Sequence, residues 1–445
     1  MKTIRRLLFF GFETRLPQRQ LVIGYLIHVV VGTVLLCLPC SVQHPASVIS
    51  HLFTAVSALS TTGLSTLDVS STYSTFGQCV ILVLIQMGGM GYMTLTSFIM
   101  LGLTHHLGKN ANSIFLSQFA LTKQIGIRTM MRNIVLFTLF FEVLGTLLLY
   151  LAFSFHGTPH ALWSALFHSV SAFCTAGFSI YPDNLTAFRT DWAVNATINL
   201  LSFMGAMGFI LLTDLARWLR NRHHRITFTT RVILVITFGL ALFTTLHLYL
   251  FEPGLQCLPF GERLSGAFFH AVSAMTTSGF NTIDVSHMLP VSLFVLTLTM
   301  YIGASPSGTG GGLKSTTLSA IYAYTRCRLS MRTPTTLMGN IIPTFRIENA
   351  ITTFIFYTFM LLAGVYALVL TEGPDVPFIH ILFESASALA TTGLSSGVSS
   401  NATTLGKCVL IVLMFAGRVG VVTFGTALIS HSSHKDSTKH NDLAI

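Results

Sequence analysis

Charged residues are scarce in this chain, and their scarcity excludes an ordinary soluble fold. Only 9% of the 445 residues are Asp, Glu, Lys or Arg, whereas 52% are hydrophobic. Soluble domains carry about 25% charged residues, and the mean hydropathy here is +0.70. This much apolar surface exceeds what a soluble core can bury. We therefore expect an all-α protein that crosses a membrane several times.

Acidic residues are scarcer than basic ones, with 15 Asp and Glu against 25 Lys and Arg. Twenty of the basic residues fall in segments that we place on one side of the membrane, between long apolar stretches. Such an asymmetry is typical of cytoplasmic loops. It disfavours a nucleic-acid partner, and it predicts a multi-pass protein of the cell membrane with both termini in the cytoplasm.

The chain also lacks the residue patterns of a metal centre or an enzyme. Its seven cysteines are scattered, and the single pair Cys37 and Cys40 has no matching second pair. A lone pair at this spacing is a weak zinc or redox signal. We find no nucleophile–base pair and no acidic dyad at one depth, so we do not expect covalent catalysis.

What the chain does have is one short phrase that occurs four times. Each copy is a small-polar run that ends in Gly-Leu or Gly-Phe and follows an Ala- and Ser-rich segment. The glycines are Gly63, Gly177, Gly279 and Gly393, at spacings of 114, 102 and 114 residues. Near-constant spacing indicates internal repetition.

The apolar stretches around each copy predict four span–pore-helix–span repeats around one central pore. Eight stretches are long enough to cross a bilayer, and four shorter ones read as re-entrant pore helices. The predicted units are an N-terminal cytoplasmic segment (1–20), repeat 1 (21–108), repeat 2 (109–225), repeat 3 (226–330), repeat 4 (331–430) and a cytoplasmic tail (431–445).

The repeated phrase has the chemistry of a cation filter. Non-helical backbone at membrane depth must be buried in protein or line water. Glycine lets carbonyl oxygens point at an axis, and rings of carbonyls can replace the hydration shell of an ion. Thr and Ser hydroxyls add oxygen ligands. The candidate filter residues are Thr61, Thr62, Gly63, Thr175, Ala176, Gly177, Thr277, Ser278, Gly279, Thr391, Thr392 and Gly393.

Over nearly its whole length the chain resembles the Ktr/Trk/HKT superfamily of potassium-translocating subunits. The resemblance rests on residues 167–173, 181–184, 86–91 and 417–420, and it is greatest to Ktr membrane subunits of the KtrB type. It implies potassium bound in the filter, because all four filter positions carry Gly. It also implies uptake that is passive or assisted by sodium, through a homodimer in membrane lipid on a ring of cytosolic nucleotide-binding regulatory subunits of the KtrA type.

A glycine-rich run, residues 303–314, interrupts the second span of repeat 3. Gly and Pro are poor in helix interiors. A phosphate-binding loop is disfavoured because no strand precedes the run, and the family resemblance implies an intramembrane gate instead. The candidate gate residues are Gly303, Ser305, Ser307, Gly308, Thr309, Gly310, Gly311, Gly312, Lys314 and Arg418.

The charged residues near the gate leave alternatives open. Lys314 either forms an electrostatic barrier in the pore or anchors the loop. Arg418 needs a partner at membrane depth, either the loop carbonyls or the carboxylate of Glu384, which is a candidate for filter support. We expect Glu142 to pack between helices.

Other features also leave alternatives open. Acidic residues on the outer face either concentrate cations or only solvate loops. Thr276, Cys174 and Pro306 depart from the family pattern. The main rival to a channel-like pore is a secondary transporter with a closed midplane site.

Overall fold

The computed structural model describes residues 17–91, 127–220, 226–306 and 308–428, and these are mostly helical. In chain order the elements are α1 (Pro17–Leu36), α2 (Val48–Leu59), α3 (Val69–Thr72), α4 (Thr75–Gly89), α5 (Ile127–Phe155), α6 (Ala161–Phe173), α7 (Trp192–Arg220), α8 (Phe228–Phe251), α9 (Pro253–Gln256), α10 (Phe260–Thr276), α11 (Pro290–Tyr301), α12 (Ser315–Leu329), β1 (Thr336–Leu337), β2 (Asn340–Ile341), α13 (Thr344–Glu372), α14 (Phe378–Leu389), α15 (Val398–Asn401), α16 (Thr404–Val419) and α17 (Val421–Leu428).

Short helices lie at the four positions predicted for the pore helices, namely α2, α6, α10 and α14. Each is amphipathic at its start and buried around its Ala- and Ser-rich end. Small side chains allow this close packing on all sides, because backbones can approach one another. One or two residues after each short helix ends, the chain reaches a threonine of the repeated phrase. This threonine adopts a left-handed conformation, with φ of 50–55° in all four copies.

The helices of the four repeats pack in a closed cycle. The helix that follows the filter phrase in one repeat contacts the short helix of the next: α4 contacts α6, α7 contacts α10, and α11 contacts α14. The cycle closes because α16 of the last repeat contacts α2 of the first. This arrangement carries the four phrases to a common centre.

Three described helices are long and apolar enough to cross a membrane, at Arg132–Phe155, Phe228–Phe251 and Thr344–Glu372. A fourth is added if the two halves of α7 count as one span. The second apolar stretch of repeat 2 is not one straight helix, since these halves meet at 95°. The bend follows from Gly208, whose φ is 74°. The count of eight spans stays a prediction.

Several predicted features lie outside the described residues. These are residues 1–16 of the N-terminal segment, the junction of repeats 1 and 2 (92–126), Ser307 of the gate and the tail (431–445). Helix α1 already begins at Pro17, within the segment predicted to precede the first span.

Acidic residues on the predicted outer face act as helix caps. Asp68 accepts hydrogen bonds from the Ser70 and Ser71 backbone N–H groups at 3.0 and 3.2 Å. Glu372 accepts from Thr403 in the same way. Burial alone would raise the pKa of the Asp68 carboxyl, but the bonds from Ser71 and Ser70 outweigh it and hold that pKa below its usual value. The carboxylate therefore caps a helix and also keeps its negative charge.

Candidate functional site

The four repeated glycines form a closed ring, although they are more than 100 residues apart in sequence. A Cβ built on Gly63 would lie 3.1 Å from the Cα of Gly177. A Cβ built on Gly177 would lie 3.1 Å from the Cα of Gly279, and one on Gly279 would lie 3.1 Å from the Cα of Gly393. A Cβ on Gly393 would lie 3.0 Å from the Cα of Gly63, which closes the ring. The structure therefore places all four copies around one axis, in chain order.

The ring requires glycine because carbonyl oxygens occupy the space of the missing side chains. A Cβ on Gly63 would lie 2.3 Å from the Ala176 oxygen, and one on Gly393 would lie 2.0 Å from the Thr62 oxygen. The other two glycines meet the oxygens of Ser278 and Thr392 at 2.5 and 2.1 Å. All four also have φ between 65° and 91°, which L side chains rarely adopt. Glycine thus allows one carbonyl oxygen of a neighbouring copy to approach each ring position.

The turn before each glycine has the same geometry in all four copies. In the first copy, the Thr62 N–H donates to the Ser57 oxygen at 2.8 Å. The equivalent bonds, from Ala176 to Ser171, Ser278 to Ser273 and Thr392 to Ser387, measure 2.8, 2.9 and 2.8 Å. The preceding threonine is left-handed, which is uncommon for a β-branched residue. No sequence signal indicates this conformation.

A buried residue nine positions before the glycine braces the segment after it in three repeats. Glu384 accepts hydrogen bonds from Ser395 Oγ at 2.8 Å and from the Ser396 N–H at 3.0 Å. His168 Nε2 lies 2.9 Å from Ser179 Oγ, and the Thr282 N–H donates to His270 Nε2 at 3.4 Å. Our sequence reasoning assigned filter support to Glu384 alone, and it attributed the matching positions of the two histidines to the internal repetition.

The glycine-rich loop between α11 and α12 packs against the C-terminal ends of the short helices. Thr309 donates from its N–H to the Gly205 oxygen at 3.0 Å and from its hydroxyl to the Phe173 oxygen at 3.2 Å. Its hydroxyl also lies 3.2 Å from that of Thr175. The Gly311 N–H donates to Thr277 Oγ1 at 2.8 Å. The loop thus contacts filter threonines of the second and third copies.

Another residue of the glycine-rich loop, Ser305, anchors the loop to the backbone of α7. Ser305 Oγ donates to the Ala206 oxygen at 3.1 Å and also bonds the Met207 oxygen. The loop folds tightly on itself, since a Cβ on Gly303 would lie 2.4 Å from the Gly311 oxygen and 2.7 Å from the Gly312 Cα.

The two cations near the loop bind backbone carbonyls. Lys314 Nζ donates to the Gly310 oxygen at 2.7 Å and to the Gly311 oxygen at 3.4 Å. The Arg418 guanidinium donates to the Thr309 oxygen of the loop and to the Gly88 oxygen of α4. Of the two partners considered for Arg418, the structure gives the loop carbonyls. Because the ammonium of Lys314 bonds the loop, this residue is an anchor in the described conformation.

A second set of repeated glycines lies next to the ring, and our sequence reasoning did not identify it as a set. A Cβ on Gly88 would lie 2.1 Å from the Leu59 oxygen, at the end of a short helix. Gly205 and Gly417 make the same approach to Phe173 and Leu389 at 1.9 and 2.0 Å. Three residues after each of these glycines, the helix breaks at a second glycine with positive φ: Gly91, Gly208 and Gly420. A Gly-x-x-Gly pattern 24 to 28 residues after three of the four filter glycines was the available signal.

A cavity of about 560 Å³ lies between these breaks and the loop. Its lining includes Gly91, Gly208, Thr309, Lys314, Arg418 and Gly420. Residues from all four repeats therefore line one cavity on the loop side of the ring.

The departures at Cys174 and Thr276 have local explanations. Cys174 Sγ lies 3.8 Å from Glu142 Oε1 and 3.6 Å from Gln86 Oε1, and Gln86 also donates to Glu142 at 3.1 Å. Glu142 therefore packs between helices, as predicted. The Thr276 hydroxyl donates to the Val272 oxygen of its own helix at 2.7 Å, so this side chain does not brace the filter phrase.

Comparisons with known proteins agree with this architecture. The chain is 35% identical to Ktr system potassium uptake protein B of Bacillus subtilis over 417 residues, covering 92% of each chain. It is 30% identical to the potassium/sodium uptake protein NtpJ of Enterococcus hirae, covering 95% of this chain and 94% of that one. The solved structure of the potassium transporter TrkH from Vibrio parahaemolyticus aligns with a TM-score of 0.70 at 20% identity, covering 91% of this chain and 84% of that one.

The family model matches almost the entire length. The model described as TrkH, cation transport protein, covers residues 18–438, which include the ring, the loop and the cavity. The relatives named above are transport proteins, and the sequence resemblance to Ktr membrane subunits is confirmed. The chain therefore belongs to the TrkH family of cation transport proteins, with Ktr potassium uptake subunits among its relatives.

Proposed function

We propose that this protein takes up potassium across the cell membrane through a channel-like pore. One observation supports this most strongly: four glycines from four repeats form a closed ring, and a carbonyl oxygen of the neighbouring copy approaches each of them. The oxygens belong to Thr62, Ala176, Ser278 and Thr392. Rings of carbonyls replace the hydration shell of potassium in known filters. The twelve candidate filter residues would bind the ion.

The surrounding helices favour a cation at this centre. The four short helices end next to the ring, so their partially negative C-termini point toward it. Two positively charged side chains, Lys314 and Arg418, line the cavity on the loop side. The pore helices and the eight spans complete the proposed architecture.

In the proposed mechanism the loop is a gate. In the described conformation it occupies the space between the ring and the cavity, and Lys314 and Arg418 place two positive charges on the ion path. Its backbone bonds to α7 and to the filter threonines would have to break for ions to pass. Opening would then expose the carbonyls that the two cations now bind.

The test replaces each ring glycine singly with serine. We expect potassium uptake in a transport-deficient cell to fall at least tenfold, or the preference for potassium over sodium to be lost, because each Cβ would meet a carbonyl oxygen. Two controls separate the causes. Gly157→Ser has the same backbone strain, with φ of 65°, but open space around it, and Gly239→Ser lies in α8 with nothing near. Unchanged selectivity in all four ring variants would refute the filter.

The rival function is a secondary transporter with alternating access. The potassium/sodium name of the Enterococcus relative keeps sodium assistance open. Potassium flux into liposomes without a sodium gradient separates the two. Flux that needs the gradient and saturates at low turnover would favour the transporter.

The proposal includes a homodimer in the cell membrane with both termini in the cytoplasm. It also includes cytosolic nucleotide-binding regulatory subunits that meet the basic loops. Support comes from the charge asymmetry of the sequence and from the family resemblance. Uptake measured with and without a cytosolic regulator, at several sodium concentrations, tests both the regulator and the sodium dependence.

A further inference from the structure

Exposed basic and apolar residues occur together from the end of α12, through the connecting segment, to the start of α13. Residues 326–346, here the basic hairpin, contain four arginines and neither Asp nor Glu. The arginines are Arg326, Arg328, Arg332 and Arg346. All four are exposed, and none pairs with an acidic side chain among the described residues. The short strands β1 and β2 join antiparallel, with Thr336 opposite Ile341.

Large apolar side chains of the same segment are also exposed. Met331 is 96% exposed, Leu329 83%, Ile341 65% and Phe345 56%. Positive-inside topology accounts for the arginines, but it gives no reason to leave four large apolar side chains uncovered beside them. Exposed apolar residues interleaved with Arg are typical of segments that lie in the interface of a membrane.

The position of the hairpin along α13 supports this interpretation. An exposed apolar stripe runs along α13 through Ile355, Phe359, Leu362, Tyr366 and Leu370. If the hydrocarbon core begins at residue 351, as the sequence predicts, Arg346 lies about 8 Å beyond its edge at 1.5 Å per residue. The headgroup zone extends roughly 5–8 Å on each side of the core. The hairpin is therefore continuous with the lipid-facing surface and begins at headgroup depth.

We propose that the basic hairpin binds anionic phospholipid of the inner leaflet. Its arginines would hold phosphate groups with paired N–H donors, while Leu329, Met331 and Ile341 would insert between the headgroups. The proposal rests on the cytoplasmic placement given under the proposed function, but not on the filter or the gate. Each arginine at a negatively charged surface contributes roughly a five-fold gain in binding.

The experiment measures backbone hydrogen exchange of the full chain in nanodiscs of phosphatidylcholine, with and without phosphatidylglycerol. We expect phosphatidylglycerol to slow exchange in residues 327–346 at least five-fold, and added salt to reverse the effect because it screens the charges. The double variant R328Q/R332Q should lose this protection. The matched control R220Q removes an exposed arginine at the end of α7 and should keep it. Exchange in α10 reports that each variant is folded.

A second pair of substitutions tests the apolar part. L329S/M331S should speed exchange in both lipid mixtures, since insertion does not depend on headgroup charge. The proposal is overturned if the hairpin exchanges equally fast in both lipids. It is also overturned if protection arises only on adding a cytosolic regulator, or only with rising protein concentration in detergent, which would indicate protein partners. None of these readouts depends on potassium transport, so the filter can fail while this proposal stands, and the reverse.

Discussion

The first and fourth copies of the filter phrase differ from the second and third in the hydrogen bond of one serine hydroxyl, which accepts in the first and fourth copies and donates in the other two. The Gly63 and Gly393 N–H groups donate to the hydroxyls of Ser57 and Ser387 at 3.1 and 3.0 Å. In the other two copies the serine donates instead, from Ser171 to the Phe178 oxygen at 2.8 Å and from Ser273 to the Phe280 oxygen at 2.7 Å. The same serine thus supports the ring in two ways, and the two adjacent halves of the ring differ in this detail.

The gate loop divides the ring along the same line. It contacts the hydroxyls of Thr175 and Thr277, whereas those of Thr61 and Thr391 have no hydrogen-bond partner among the described residues. Because the loop belongs to one repeat only, its contacts with the four copies of the filter phrase differ. If the loop is a gate, as proposed, we expect substitutions in the two halves of the ring to have different consequences.

The largest effect is expected where the loop reaches across to the fourth copy. A Cβ on Gly311 would lie 2.1 Å from the Ala390 oxygen and 2.2 Å from Thr391 Oγ1. Gly311→Ala should therefore displace the loop. Overpacking costs about 1–3 kcal/mol, which corresponds to roughly a 5- to 150-fold shift in a two-state equilibrium. We expect basal potassium flux into liposomes to rise by that order.

The matched control for this variant is Gly239→Ala, where a Cβ meets nothing within 4 Å. It should leave the basal flux unchanged. A fall in flux in Gly311→Ala with a normal control would contradict the placement of the loop as a closed gate.

The next prediction compares Glu384 of the fourth copy with Thr54, which holds the equivalent position in the first copy. Glu384 accepts several bonds from the segment after Gly393, whereas the hydroxyl of Thr54, at the same position of the first copy, donates to the Ser50 oxygen of its own helix. Glu384→Gln should cost about 1–3 kcal/mol, because it replaces an accepting carboxylate oxygen with an NH2 donor that faces backbone N–H donors. Thr54→Ala should cost less. Thermal unfolding in detergent measures both, and equal losses of Tm would mean that Glu384 is not a brace.

The sequence predicted the ring better than the features around it. Four copies of one phrase at near-constant spacing required a common centre, and glycine at each position required close backbone approach. The bend at Gly208 was missed because hydropathy reports only the length of a span, and it is insensitive to one backbone angle. The partner of Arg418 stayed open for a different reason. Loop carbonyls and the Glu384 carboxylate both suit a guanidinium, and only the fold places one of them within reach.

A smaller effect should separate the threonine pairs. Thr175→Val and Thr277→Val remove hydroxyls that hydrogen-bond the loop, whereas Thr61→Val and Thr391→Val remove hydroxyls without such a bond in the described part of the chain. All four remove one oxygen from the ring, so changes in potassium preference should be similar. Losing one hydrogen bond costs about 1 kcal/mol, so basal flux should rise roughly five-fold further in the first pair. Parallel flux and selectivity measurements test this, and identical basal flux in all four variants would remove the two-fold distinction.

The smallest expected effect isolates the serine itself. Ser57→Ala leaves the Gly63 N–H without its acceptor, whereas Ser171→Ala leaves the Phe178 oxygen without one donor. A carbonyl oxygen has a second lone pair, and unpaired buried N–H groups are the rarer case in proteins. Ser57→Ala should therefore lower the free energy of unfolding more than Ser171→Ala, by about 1 kcal/mol or less. Ser387→Ala and Ser273→Ala provide the same comparison in the other two copies. If the order holds in both pairs, the direction of this bond is a property of the half-ring and not of one copy, because the two pairs share no side chain.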